Sequence, residues 1–171
     1  MPTAFTNTPP LLQPFLESGL SIATILAILL NVIVRIGIGK ESTLVLAPTD
    51  SISDKVFEFM EREGETFGAR HEVIGQASHA TAQTCDALVG LGVAEGELQV
   101  TTKFDELNLD IYVRYQGQPF LFPDEAPMGG DLLEDDSALV KFSGFMIRNL
   151  ADSVTCSCKN ATCTIHIHYD Q

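Results

Sequence analysis

The chain has 171 residues, 23 of them Asp or Glu and 10 Lys or Arg, for a formal net charge of −13. An acid excess of that size argues against nucleic acid or anionic lipid as a partner of the soluble part, because both would repel it. The 45% of hydrophobic residues come in part from a single segment near the start, so hydropathy and charge are carried by different stretches of the chain.

Residues 1–15, with Pro9 and Pro10, read as an unstructured lead. Between Glu17 and Arg35 lie seventeen uncharged, mostly apolar residues, SGLSIATILAILLNVIV. As a helix they rise about 25 Å, against a hydrocarbon core of about 30 Å, and snorkelling flanks can cover the difference. This predicts one transmembrane helix over residues 16–38. A secretory signal fits less well, since the first basic residue is Arg35 and no small-residue cleavage site follows the apolar run. Arg35 and Lys40 follow the segment and Glu17 precedes it, so the positive-inside rule places the remainder in the cytoplasm, behind a single pass through the inner membrane. Gly19, Ala23, Ala27 and Asn31 recur every four residues. They form one helical face suited to packing on another helix, where the Asn31 amide would find the partner that lipid cannot supply.

The stretch 43–171 is long enough for one domain with its own core. Thr43 to Ala47 is a short strand closed by Pro48. Ser53 precedes an amphipathic helix with Val56, Phe57 and Met60 on one side, and a second helix runs from about His71 to Leu91 through Val73, Ile74, Ala77, Ala80, Thr84 and Leu88. Two alternating runs follow. Leu98, Val100, Thr102 and Phe104, then Leu107, Leu109, Ile111 and Val113, form an antiparallel hairpin with Lys103, Asn108, Asp110 and Arg114 on its wet face. Leu139, Phe142, Phe145, Met146 and Leu150 mark a third helix, and Val154 to Tyr169 folds back as a hairpin around Lys159-Asn160-Ala161. Helices on one face of a largely antiparallel sheet make a two-layer α/β sandwich of the α+β class.

Two family resemblances are carried by quotable residues. PFLESGLSIATILAILLNVIVRIG, Pro14 to Gly37, resembles the last membrane helix of xanthine/uracil permeases, the nucleobase:cation symporter or nucleobase-ascorbate transporter family, through Ser18-Gly19, Ala27, Leu29-Leu30-Asn31 and Arg35-Ile36-Gly37. That resemblance implies the C-terminal portion of a transporter built from inverted repeats. One helix cannot enclose a midplane substrate site, so a nucleobase would be handled only by the full transporter, with the remaining permease helices and the bilayer as partners.

From about residue 50 onward, GELQVTTKFDELNLDIYVRYQGQPF and GFMIRNLADSVTCSCKNATCTIHIHYD resemble the ATP-binding fold of histidine kinases and anti-sigma-factor kinases, the GHKL superfamily. The family's chemistry is missing at the matching positions. A Glu and, four residues later, a Mg-ligating Asn are expected on the helix from His71; Gln76, His79, Ala80 and Gln83 stand there instead. Tyr115 replaces the adenine-reading Asp of the first glycine box, Gly117 is retained, Pro119 replaces the second glycine, and the second box is reduced to Gly144. Where the ATP lid would lie are Asp124, Glu125, Asp131, Glu134, Asp135 and Asp136, a charge that repels polyphosphate. The resemblance therefore implies a degenerate fold that binds no ATP and no other cofactor.

Cys156, Cys158 and Cys163 lie near His166 and His168, a zinc-like mixture. In a hairpin, however, Cys158 faces Cys163 and Cys156 faces Ile165 on one surface, while the two histidines point to the other. Reduced, small, packed cysteines and exposed histidines are expected, and no metal site. No G-x-S-x-G turn, Walker loop or H-E-x-x-H is present, and no enzyme is expected. The sequence thus predicts the last helix of a nucleobase transporter plus a cytoplasmic interaction domain; the alternative is a self-contained, membrane-tethered, non-catalytic binding or sensor module.

Overall fold

A computed structural model describes residues 19–35, 40–105, 107–126 and 136–170. The chain divides into two compact units, at residues 38 and 39. The first holds α1, Gly19–Arg35. Leu20, Ile25, Leu26, Ile28, Leu29 and Val32 stand exposed around its circumference, and the Thr24 hydroxyl donates to the Leu20 carbonyl at 2.9 Å, so the helix satisfies its own polar side chain. Among the described residues, no helix is long and apolar enough to cross a membrane. The expected transmembrane span of 16–38 is therefore not supported: the helix described has seventeen residues, Gly19–Arg35, and residues 16–18 and 36–38 lie outside the described residues.

The second unit contains β1 (Lys40–Leu46), α2 (Ile52–Phe67), α3 (His71–Gly90), β2 (Ala94–Phe104), β3 (Asn108–Gly117), α4 (Asp136–Arg148), β4 (Ser153–Lys159) and β5 (Thr162–Asp170). The element order is the one the sequence patterning predicts, and the class is α+β. The five strands form one sheet in the order β1-β2-β3-β5-β4, every neighbouring pair antiparallel. β5 therefore lies between β3 and β4, and the closing hairpin docks on the first hairpin through its second strand.

Alternation decides which face is which. Leu98, Val100, Thr102 and Phe104 of β2, Leu109, Ile111, Val113 and Tyr115 of β3, and Cys163, Ile165, Ile167 and Tyr169 of β5 are all buried beneath the helices. The residues between them, Lys103, Asp110, Tyr112, Arg114, His166 and His168, form the opposite, helix-free face. α3 lies on the core side through Val73, Ile74, Ala77, Ala80, Thr84 and Leu88, as its spacing predicts.

Four local expectations change. In α2 the core residue is Phe59, 3% exposed, while Phe57 sits at the margin with its ring edge-on to His79, centroids 4.9 Å apart. The helix also starts at Ile52 rather than after Ser53, whose hydroxyl donates to Asp86 on α3 at 2.5 Å. Leu107 lies in the β2–β3 turn and is exposed, because Asp105 Oδ1 accepts the Leu107 and Asn108 amides at 2.9 and 2.8 Å and closes the turn one residue later than the apolar run suggests. In α4 the stripe read as inward is largely outward: Leu139, Phe142 and Met146 are about 40% exposed and Ala138, Gly144 and Ile147 face the core.

The β4–β5 turn is made by Asn160 and Ala161, with φ of 50° and 64°, the paired left-handed conformation of a two-residue hairpin. It places Cys158 opposite Cys163 and Cys156 opposite Ile165, the expected register. Cys158 and Cys163 are joined in a disulfide, with Cα atoms 4.1 Å apart, where two reduced thiols were expected. The register itself accounts for the difference, since directly opposed residues of an antiparallel pair bring their Cα atoms to about 4.5–5.5 Å, within reach of a disulfide. Cys85 is fully buried on α3, and burial pushes its thiol far up, leaving it protonated and inert.

Candidate functional site

The positions matching the nucleotide boxes meet at the end of β3 and on α4. Tyr115 is 2% exposed, and its hydroxyl donates to the Gln118 carbonyl at 2.9 Å. Burial, with the Cys156 thiol alongside, raises its phenol well above the ordinary tyrosine range. Tyr115 thus closes its own turn.

Gly117 follows with φ of 147°. Its amide donates to the Ala161 carbonyl at 3.0 Å, and the next amide, Gln118, donates to the Val93 carbonyl at 3.1 Å. A Cβ at residue 117 would lie 2.0 Å from the Val93 oxygen. Gly144 is constrained in the same way, since a Cβ there would meet the Leu121 carbonyl oxygen at 1.8 Å, with the Phe120 ring at 3.4 Å. Phe120 is buried at 1% exposure and tilts against Phe122. Arg148 donates to the Phe122 carbonyl at 3.2 Å and pairs with Asp124. Both retained glycines are therefore explained by backbone contact within the fold, and the segment after β3 is fastened to α4 along its length.

Gln83 does not join this group. It stands exposed on α3, as do Gln76 and His79, so the helix presents no carboxylate-amide clamp toward the sheet. Asp131, Glu134 and Asp135 of the acidic run lie outside the described residues. Beside the boxes is an open groove lined by Leu91, Val93, Pro119, Leu121, Leu139 and Val140, with Lys141 at its rim. Gln118, Gly90 and Gly92 also line it, so polar and apolar surface share the groove almost equally. On α1, Ala23, Ala27 and Asn31 are exposed in line above Gly19.

A second cluster, absent from the sequence-based expectations, lies on the helix-free face. His166 Nε2 is 2.7 Å and His168 Nδ1 2.8 Å from the same oxygen, Asp110 Oδ1, and His168 Nε2 is 3.2 Å from Asp170. The three side chains are about one-quarter to one-third exposed. Bonding to Asp110, and then to Asp170, outweighs partial burial and raises the His168 pKa; partial burial opposes ionisation of Asp110, but the His168 and His166 bonds prevail and lower its pKa. Tyr112 stacks on the His166 ring at 4.6 Å and 5°. The histidines do point away from the cysteines as expected, but they share a carboxylate where simple exposure was predicted. The sequence signal was the His-x-His alternation; what it lacked was the β3–β5 pairing that sets Asp110 opposite His168.

No protein-family model matches this chain, and no curated protein does. Among solved structures, the RsbU and RsbW domains of Rv1364c from Mycobacterium tuberculosis are similar, with a TM-score of 0.53 at 16% identity over 76% of this chain and 32% of that one. The chain thus spans about a third of the length of that structure. At this identity the likeness concerns the fold. It supports the α+β fold expected for the stretch after residue 43 and does not bear on the permease resemblance.

The glycine contacts give a test with an internal control. Gly144→Ala is expected to lower unfolding stability by about 2 kcal/mol, because backbone must move to admit the methyl. Gly75→Ala on α3, where a Cβ meets nothing within 4 Å, is expected to raise it by about 0.5–1 kcal/mol through helix propensity. Equal effects of the two in denaturant unfolding would contradict the close-approach role of Gly144.

Proposed function

We propose that residues 40–170 form a non-catalytic binding module, a GHKL-like sandwich that contacts a protein partner and holds no nucleotide. One observation carries this proposal: at the box positions, Tyr115, Gly117 and Gly144 are each occupied by contacts inside the fold. A Mg-bound triphosphate needs a carboxylate-amide clamp and a glycine loop free to approach phosphate. Here Gln76, His79 and Gln83 stand on the helix, and Gly117 is pressed on the Val93 carbonyl while Gly144, within α4, is pressed on that of Leu121. Support for a protein partner comes from the outward stripe of α4, Leu139, Phe142 and Met146, together with Leu121, 54% exposed, beside the groove. The net charge of −13 disfavours nucleic acid.

A second proposal concerns α1 and is favoured by its exposed apolar circumference. A helix with so much exposed apolar surface calls for cover by protein or lipid. In this proposal α1 is the last helix of a xanthine/uracil transporter, membrane lipid and the remaining permease helices cover it, the module lies on the cytoplasmic side of the inner membrane, and this chain carries no nucleobase by itself. The two proposals are compatible, since a transporter tail can be a binding module.

Calorimetric titration of the full chain with ATP and Mg²⁺ to millimolar concentration is expected to give no saturable heat; a saturable isotherm would overturn the non-catalytic assignment. For α1, Asn31→Leu is expected to leave membrane insertion unchanged and to reduce co-purification with partner helices, and unchanged co-purification would remove the packing role of that face.

A further inference from the structure

The helix-free face of the sheet carries a donor set with the composition and rigidity of a metal centre. Asp110 on β3 and His166 and His168 on β5 offer one carboxylate and two imidazoles whose ligand atoms all lie within 4.8 Å of one another. Residues two apart on a strand share a face, which brings His166 and His168 side by side, and the antiparallel register sets Asp110 opposite His168. All three sit on adjacent strands in the middle of a five-stranded sheet, so the backbone that positions them is fixed before any ligand arrives.

The outer contacts are those that orient metal-bound imidazoles. His168 has its second nitrogen, Nε2, 3.2 Å from Asp170 Oδ1. That contact holds Nε2 on the outer side and aims Nδ1 at Asp110; once its Nδ1 proton leaves, His168 would offer that lone pair to an ion with Asp170 supporting the ring from behind, the arrangement in which a carboxylate supports a ligating histidine. The His166 ring is held flat against Tyr112, centroids 4.6 Å apart. Partial exposure of all three donors leaves the outer side open to solvent.

We propose that Asp110, His166 and His168 form a site for a late first-row divalent metal ion, Zn²⁺ or its analogues Co²⁺ and Ni²⁺, with remaining positions filled by water or by a group from a partner. Two imidazoles with one carboxylate suit these ions, whereas Mg²⁺ and Ca²⁺ prefer all-oxygen shells. On binding, the two ring hydrogens now directed at Asp110 Oδ1 would be released to solvent as protons, and the ion, held by both imidazoles and the Asp110 carboxylate, would cross-link β3 to β5. The site is on the sheet face opposite the helices and the groove, so it stands or falls independently of the nucleotide argument.

The test is titration of the untagged full chain with Co²⁺ and Zn²⁺. One saturable site is expected, with cobalt d–d absorption that zinc abolishes. Asp110→Asn is expected to weaken binding about 10- to 100-fold, and the double variant His166→Ala/His168→Ala to remove it while circular dichroism stays native. A readout on the unsubstituted protein guards against misfolded variants: of the four histidines, zinc should shift the imidazole ¹⁵N resonances of His166 and His168 and leave His71 and His79 in place. Absence of saturable binding at millimolar free metal, equal affinity in the double variant, or a thiolate-to-cobalt charge-transfer band marking cysteine ligation would each overturn the proposal.

Discussion

Two backbone carbonyls, Val93 and Leu121, press so closely on Gly117 and Gly144 that neither position has room for a single methyl group. Much of the second unit's architecture depends on this. The Val93 contact fixes the start of β2 against the end of β3, and the Gly117 amide ties the same point to the β4–β5 turn at Ala161. The Leu121 contact then lays the segment after β3 along α4, where Phe120 fills the space beneath and Arg148 holds the Phe122 carbonyl and Asp124. Sheet, turn and third helix are joined at one corner. Both glycines are thus used for close approach of the protein to itself.

The sheet separates two kinds of chemistry by alternation alone. One face carries aliphatic and aromatic side chains into a core with α2 and α3. The other leaves charged, hydroxyl and imidazole groups facing outward, among them Asp110 with His166 and His168. Because the two faces share a backbone but no side chains, the packing of the helix side leaves the side chains of the open face free to vary. The disulfide near the hairpin turn ties β4 to β5, the strand that supplies both histidines.

Much of the fold was legible in the sequence because its signals were local. The two-residue alternation of β2, β3 and β5, the three-to-four spacing of α3 and the turn at Lys159-Asn160-Ala161 each specify one element without reference to the others. Errors arose where a distant partner decided the outcome. Phe57 and Phe59 are both apolar residues on α2, and only the placement of α3 makes Phe59 core and leaves Phe57 against His79. On α4 the larger residues Leu139, Phe142 and Met146 had a good periodicity, yet the core takes the smaller Ala138 and Gly144 with Ile147, because the Leu121 carbonyl comes too near for anything bulkier. The box substitutions at Tyr115 and Pro119 could be read directly. That Gly117 and Gly144 survive for packing could not, since a glycine in sequence does not reveal what approaches it. The Asp110 cluster needed the non-consecutive pairing of β3 with β5, and the direct opposition of Cys158 and Cys163 was predicted while their covalent union was not.

Amide hydrogen exchange at Gly117 and Gln118 tests the central claim most directly, because those two N–H groups donate to the Ala161 and Val93 carbonyls that close the corner. A locked corner predicts protection comparable to that of the strand-centre amides of β3, reached only through opening of the whole unit. Exchange at the rate of unprotected loop amides would contradict it and would leave the glycine loop free to receive a ligand.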